Sequence, residues 1–462
     1  MTGDHKIEWL REGALWPETE DQELRGLLAE EGALRSSPAG RLAVRFVGVI
    51  IHGQRTLIAL PKIRTGAPSA MVHRYAMRAM RRYERWTPTH HELSPYLNES
   101  PEKGRVSALA ATDWLVRDYL EHGLLRRADV TQEIDGPGIV NWRQTVQGIT
   151  PILSRGVPLY LKTITRRTED NNRSFATRLH LYLLERLSQQ YGQILDLEPV
   201  ILDHEPVERL DSLPSFEECE ALIALEQRAT YSQRGLELLA MMLATVSSLE
   251  IETSRGLSLY GTSNFHYVWE EACAHSFRNQ RDEWLRSLPH PVWTSVTGQS
   301  STARTFVPDL VVSIAPTDLL IGDAKYYQPR MPPFLGGVPG VNDVGKQIWY
   351  KQRLHREADR RGYDQIHNAF LFPSDTQQLA NFGWVEMPVG DEAVDAVGVP
   401  FLPALAAYSG DLEQPSEAWC EDIANILAAN SIARARRVAA ALGKALTGYP
   451  IERKVSTKGK LR

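Results

Sequence analysis

The stretch FVPDLVVSIAPTDLLIGDAKYY, residues 306–327, decides how the C-terminal half of the chain is read. Two apolar runs, rich in β-branched and aliphatic residues, flank the turn formers Ala315-Pro316-Thr317-Asp318, the pattern of a hairpin. Val311 and Val312 in the first run and Leu319, Leu320 and Ile321 in the second leave neither face polar, as inside an α/β sheet. Side chains at i and i+2 of a strand share a face. Asp323 and Lys325 therefore point the same way, and the hairpin brings Asp309 beside them. Charges that emerge only at the end of a buried strand are costly unless paired or metal-bound. Two carboxylates and an amine converging there form a ligand set for a hard divalent cation, with a base or charge stabiliser alongside. Such a set suits metal-assisted phosphodiester cleavage. A solvated ion pair beside an ordinary Pro-Asp turn is the plainer alternative.

The flanking segments extend the first reading. Phe265, Val268, Trp269 and Ala272 recur at i, i+3, i+4 and i+7, which predicts an amphipathic helix. Glu270 stands beside that stripe, within reach of the cluster as a third carboxylate. Downstream, DVGKQIWY (residues 343–350) opens another helix with Asp343 as its N-cap. Its Lys346, Gln347 and Tyr350 are placed to line a cleft and touch a phosphate. Asn368-Ala369-Phe370-Leu371-Phe372-Pro373 reads as a further buried strand.

Helix with Glu, strand, strand with Pro-Asp, strand with Asp-x-Lys, helix with Gln, strand: this order resembles the core of the PD-(D/E)XK nuclease superfamily. More closely, it is similar to the McrC and LlaJI restriction-endonuclease group. The resemblance rests on Trp269-Glu270, Pro308-Asp309, Asp323-Ala324-Lys325-Tyr326-Tyr327, DVGKQIWY and NAFLFP, with a weaker echo at Phe46–Ile51 and Leu57–Lys62. The matched pieces cover about a quarter of the chain, mostly between residues 262 and 375. The resemblance implies that Glu270, Asp309 and Asp323 face Mg2+, with Mn2+ as a substitute, and that Lys325 and Gln347 are catalytic. Gln347 departs from the pattern, since Tyr350 follows one residue too early for the Gln-x-x-x-Tyr of some relatives. It further implies a type II or type IV restriction-like endonuclease acting on double-stranded DNA, with a separate McrB-like AAA+ GTPase as partner. A repair or recombination nuclease, and a catalytically idle nuclease-fold scaffold, remain as alternatives.

Composition sets the outer bounds. The chain has 462 residues and a net charge of −5, which argues against a generic nucleic-acid binder. Locally the balance reverses: from Arg55 to Arg85 there are eight Lys or Arg and one acid, Glu84. Arg74, Arg78, Arg81, Arg82 and Arg85 recur at helical spacing, with Tyr75, Tyr83 and Trp86 interleaved. This stripe suits DNA phosphates, and equally a solvated face or the docking of an acidic partner. Cys219, Cys273 and Cys420 lie far apart without metal-site spacing, which favours reduced thiols in the cytoplasm. No GxxxxGK[ST] phosphate loop occurs, and no apolar run reaches the roughly 20 residues of a membrane span. A homo-oligomer stays open.

The expected architecture is multidomain α/β. Residues 1–100 form an α+β domain carrying the basic helix, with a turn at His52–Arg55 and a linker from Thr87 to Arg105. Residues 101–260 form a mostly helical middle region, with helices at 106–125, 174–193 and 232–249 and an apolar strand after the Gly136-Pro137-Gly138 turn. Residues 261–445 form a PD-(D/E)XK mixed sheet flanked by helices, the last near 417–442. Residues 446–462 form a basic tail.

Overall fold

The computed structural model describes residues 6–17, 21–37, 40–86, 107–203, 205–285, 292–302, 307–333, 335–387 and 392–447. The expected linker and residues 448–462 of the expected tail lie outside them. The fold is mixed α/β in two compact units, Met1–Leu60 with His91–Ser263, and Pro61–His90 with Asn264–Arg462. No helix among the described residues is long and apolar enough to cross a membrane.

In the first unit, strands Val47–His52 and Arg55–Leu60 form the hairpin expected around His52–Arg55. Lys6–Arg11 adds in parallel on one side and Leu257–Thr262 antiparallel on the other. That last strand lies at the far end of the expected middle region, so the N-terminal strands and the middle helices share one unit rather than two. Gly48 faces Gly261 in this pairing. A Cβ on Gly48 would lie 2.2 Å from the Tyr260 carbonyl oxygen, and one on Gly261 2.1 Å from that of Val47, so only glycine permits the approach. Ser107 caps helix Ala108–His122 and its Oγ also donates to the Leu259 carbonyl at 2.9 Å, tying helix to sheet. The helices Phe175–Tyr191 and Gln233–Arg255 follow the apolar periodicity. The strand after the Gly-Pro turn shrinks to Ile139–Val140, and Ile139 is exposed rather than packed.

The second unit is built on a five-stranded sheet. In spatial order the strands are Leu310–Ala315, Asp318–Ala324, Gln365–Ser374, Ala393–Pro400 and Ala380–Glu386. The first two form the expected antiparallel hairpin, the middle three run parallel, and the last pair is antiparallel. Helix Val341–Arg361 connects the parallel strands Asp318–Ala324 and Gln365–Ser374. Its Tyr350, Leu354 and Ala358 pack with Val311, Leu319 and Ile321, and its Val344 with Phe370, Phe372, Val394 and Ala396. Helix Phe265–Ser276 buries Phe265, Val268, Trp269 and Ala272, as its spacing required. Helix Ser416–Thr447 lies against Leu310–Ala315, Ala380–Glu386 and Ala393–Pro400.

Helix Ser69–Trp86, expected with the N-terminal strands, packs instead on helices Phe265–Ser276 and Phe401–Ser409 of this unit. Its sequence explains why. Val72, Ala76, Met77, Ala79, Met80 and Tyr83 are buried along one side, while Arg74 and Arg85 remain exposed on the other.

Candidate active site

The crossover fixes where chemistry can gather. A parallel strand followed by a helix and a second parallel strand brings the helix N-terminus back to the carboxyl ends of the strands. Asp323 sits at that end of Asp318–Ala324, opposite Phe370 of the neighbouring strand. Asp309 directly precedes Leu310–Ala315, whose first residue pairs with Gly322, so the hairpin register sets it beside Asp323. The Ala324 amide donates to Asp309 Oδ2 at 2.9 Å. Asn279 holds the same corner from outside, donating to the Asp309 carbonyl at 2.9 Å and accepting from the Val311 amide at 2.9 Å. Tyr350 donates its hydroxyl to the Val307 carbonyl at 3.1 Å. It is buried, so its role is to pin the segment leading into Pro308-Asp309 rather than to line a cleft.

The Lys325 amide donates to the Leu371 carbonyl at 2.9 Å, continuing the ladder one step past the strand. Its side chain therefore stays on the face of Asp323, as the i, i+2 argument requires. Lys325 Nζ lies 2.7 Å from Asp323 Oδ2 and 3.1 Å from Asp343 Oδ1. The latter contact overturns one expectation. Helix Val341–Arg361 begins at Gly340, so Asp343 is not an N-cap but a first-turn residue whose carboxylate reaches the lysine. Gln347, one turn further along the helix, is fully buried, and neither its Oε1 nor its Nε2 has a hydrogen-bond partner among the described residues. Lys346 is exposed, near enough to Asp323 to favour its charged form.

Electrostatics tie these groups into one cluster. Burial and then the Asp309 and Asp323 charges push the Glu270 carboxyl up to about 8. Burial and then Asp323 push Asp309 up to about 7, against the opposing Ala324 hydrogen bond. Burial also raises Asp323, partly offset by Lys325. Burial works against the Lys325 charge, but Asp323 and Asp343 outweigh it and hold the ammonium above its ordinary range. Asp323 and Asp343 thus flank one ammonium, while burial and neighbouring carboxylates oppose the ionisation of Glu270 and Asp309 beside them.

Clustered carboxylates whose ionisation is opposed in this way are groups whose charged forms a hard cation bound through oxygen would favour. Among the described residues, no three His, Cys, Asp or Glu side chains stand together as a metal-holding group. Like charges without a counter-ion keep apart, and Lys325 occupies one Asp323 oxygen. Carboxylate oxygens are nonetheless the donor chemistry that a hard divalent ion takes.

The sequence profile of the LlaJI restriction endonuclease family matches residues 46–402. The chain belongs to this family. It is 29% identical over 404 residues, covering 84% of each chain, to the type II restriction enzyme BsuMI component YdjA of Bacillus subtilis strain 168. Two solved assemblies are also similar. One is a complex of Thermococcus gammatolerans McrB AAA+ hexamers with bound McrC, at 12% identity and a TM-score of 0.40, covering 91% of this chain and all of that one. The other is the T. gammatolerans McrBC complex, at 12% identity and a TM-score of 0.22, covering 57% and 84%. Both scores fall below the level at which a shared fold follows.

The stretch of this LlaJI-family chain matched by the profile includes the basic helix, and the structure divides its arginines. Arg78 is ion-paired with Asp411, and the Arg82 guanidinium lies 5.0 Å from the centre of the Tyr408 ring. Those two arginines therefore help dock the helix onto its own unit. Periodicity showed the stripe but not these partners, which lie more than three hundred residues away in the chain.

Proposed function

We propose that the chain is a Mg2+-dependent DNA endonuclease of the PD-(D/E)XK type and the nuclease subunit of a restriction system in the cytoplasm. The observation that carries this reading is the convergence of Asp309, Asp323 and Lys325 at the carboxyl edge of the sheet, with Glu270 coupled to them. Asp309, Asp323 and Glu270 would hold the ion. A bound divalent cation supplies charge neutralisation for the phosphodiester and lowers the pKa of its water.

The chain's own residues do the rest. Lys325, held at the Asp323 carboxylate, is placed to orient the attacking water and to offset charge in the transition state. Gln347, with a buried amide that no protein group satisfies, has a donor and an acceptor to offer a water or phosphate oxygen. Double-stranded DNA is the substrate, and the exposed Arg74, Arg85 and Lys346, with the half-buried Arg81, are the cations proposed to meet its phosphates, while Arg78 and Arg82 act mainly within the unit. The McrC-like features of the sequence support a separate AAA+ GTPase as partner, a division of labour that fits a chain without a phosphate-binding loop.

The test is cleavage of plasmid DNA by the chain with its partner and GTP, with Mg2+ or EDTA. Asp323→Ala should lower the rate by about two to three powers of ten, the scale of losing one preorganised electrostatic group. Cleavage by Asp323→Ala at the wild-type rate would refute the assignment. Mg2+-independent cleavage would refute the metal reading.

A further inference from the structure

Asp343 is the one carboxylate at the site that neither the hairpin nor helix Phe265–Ser276 supplies. It comes from the first turn of helix Val341–Arg361, and it shares the Lys325 ammonium with Asp323 at 3.1 Å against 2.7 Å. It is also the more open of the two, its side chain 32% exposed against 15% for Asp323.

The two contacts behave differently when Asp323 takes up another role. A divalent ion on Asp323 competes with the lysine for that carboxylate and repels its ammonium. Lysine is a point charge on a flexible stem, with no planar fork to keep it in place. If Asp323 were its only partner, the arrival of the ion would drive Lys325 out of the site. Asp343 stands on a separate element, so it can keep the ammonium close while Asp323 turns to the ion.

On the nuclease reading given above, we propose that Asp343 is a positioning residue for the catalytic lysine. It retains Lys325 Nζ at the site while Asp323 binds the metal ion, so that metal and lysine act together rather than in exchange. Gln347, one turn along the same helix face, is carried to the cluster by the same element.

The test is Mn2+ binding to the full-length chain, followed by water-proton relaxation, for Asp343→Asn and Asp343→Glu, each alone and combined with Lys325→Met. With Asp343→Asn the lysine loses one of its two direct ion pairs and competes harder for Asp323. The Mn2+ Kd should rise about tenfold, within the range of losing an outer-shell partner. In the Lys325→Met background the same substitution should change the Kd less than about twofold, and Asp343→Glu should restore binding. Cleavage by Asp343→Asn with partner and GTP should lose about 10–100-fold in kcat with KM for DNA unchanged. An equal loss of Mn2+ affinity in both backgrounds would make Asp343 a ligand of the ion and overturn the proposal. Wild-type binding and kcat in Asp343→Asn would reduce the contact to a surface ion pair and overturn it as well. Asp309→Asn separates this from the underlying reading: unchanged Mn2+ binding there removes the metal site and the nuclease reading with it. Lost binding in Asp309→Asn beside a negative Asp343 result removes only the lysine-holding role.

Discussion

Asp309→Asn changes one charge and almost no shape, which makes the cost of the clustered carboxylates measurable. Asn can still accept the Ala324 amide, and Asn279 bonds only to the backbone of this position. Asp309 lies at about 7 against an ordinary 3.8, first because it is buried and then because Asp323 is beside it. The folded value exceeds the unfolded one. The group's contribution to stability is thus fully present below about pH 4 and is lost as pH rises through 7. About three units at 1.36 kcal/mol each set an upper bound near 4 kcal/mol above pH 7. Because the repulsion is shared with Asp323 and the site is partly open to solvent, about 2–4 kcal/mol is expected. At roughly 2–4 °C per kcal/mol for a unit of this size, the variant should melt some 5–10 °C higher than wild type at pH 8.5 in EDTA. At pH 5 the gain should shrink to less than half. Adding Mg2+ at pH 8.5 should raise the wild-type melting temperature and narrow the gap, while the variant responds weakly. A gain that is equal at both pH values, or a variant that melts lower at pH 8.5, would refute the electrostatic account of the site.

Other substitutions test the remaining structure. Gln347→Leu fills the same buried volume without polar atoms, so it should leave thermal stability unchanged or raised while cleavage falls at least tenfold; lowered stability would mean that the amide is satisfied in the fold. Mutating Arg74, Arg81 and Arg85 to Ala should flatten the slope of log affinity for DNA against log salt by up to roughly 3 units, and an unchanged slope would return the helix to a purely structural role. Gly48→Ala forces a Cβ to 2.2 Å from the Tyr260 carbonyl oxygen at a φ of +146°, so it should destabilise the first unit by at least about 2 kcal/mol in urea titrations. Without GTP and partner the chain should bind DNA weakly and cut it little; vigorous cleavage by the isolated chain would favour an autonomous repair nuclease.

The hairpin and its charges were legible because strand geometry is local. Apolar runs on both sides of a Pro-Thr turn fix the register, and the register fixes which face Asp309, Asp323 and Lys325 share. Helix Phe265–Ser276 was legible for the same reason, its buried residues falling on the expected spacing. Asp343 was misread because capping and first-turn positions favour the same residue type, and three residues separate a start at Asp343 from the cap at Gly340. Nothing in the local pattern could show that Lys325 takes it as a partner.

The basic helix shows the same limit from the other side. Composition reveals a cation but not its counterpart, and Arg78 finds Asp411 only because the helix buries its opposite face on Phe401–Ser409. Hydrophobic burial therefore decided how Arg78 and Arg82 are turned toward their own unit, a tertiary choice that composition cannot show. The active site inverts that order. There Asp309, Asp323 and Asp343 are gathered by the hairpin register and the crossover, and Glu270 by a neighbouring helix, although burial and mutual repulsion oppose their ionisation. Apolar residues of similar volume would serve packing at such a position at least as well. Ionisable groups held together against burial beside a well-packed sheet are a physical reason to read the cluster as chemistry rather than as structure.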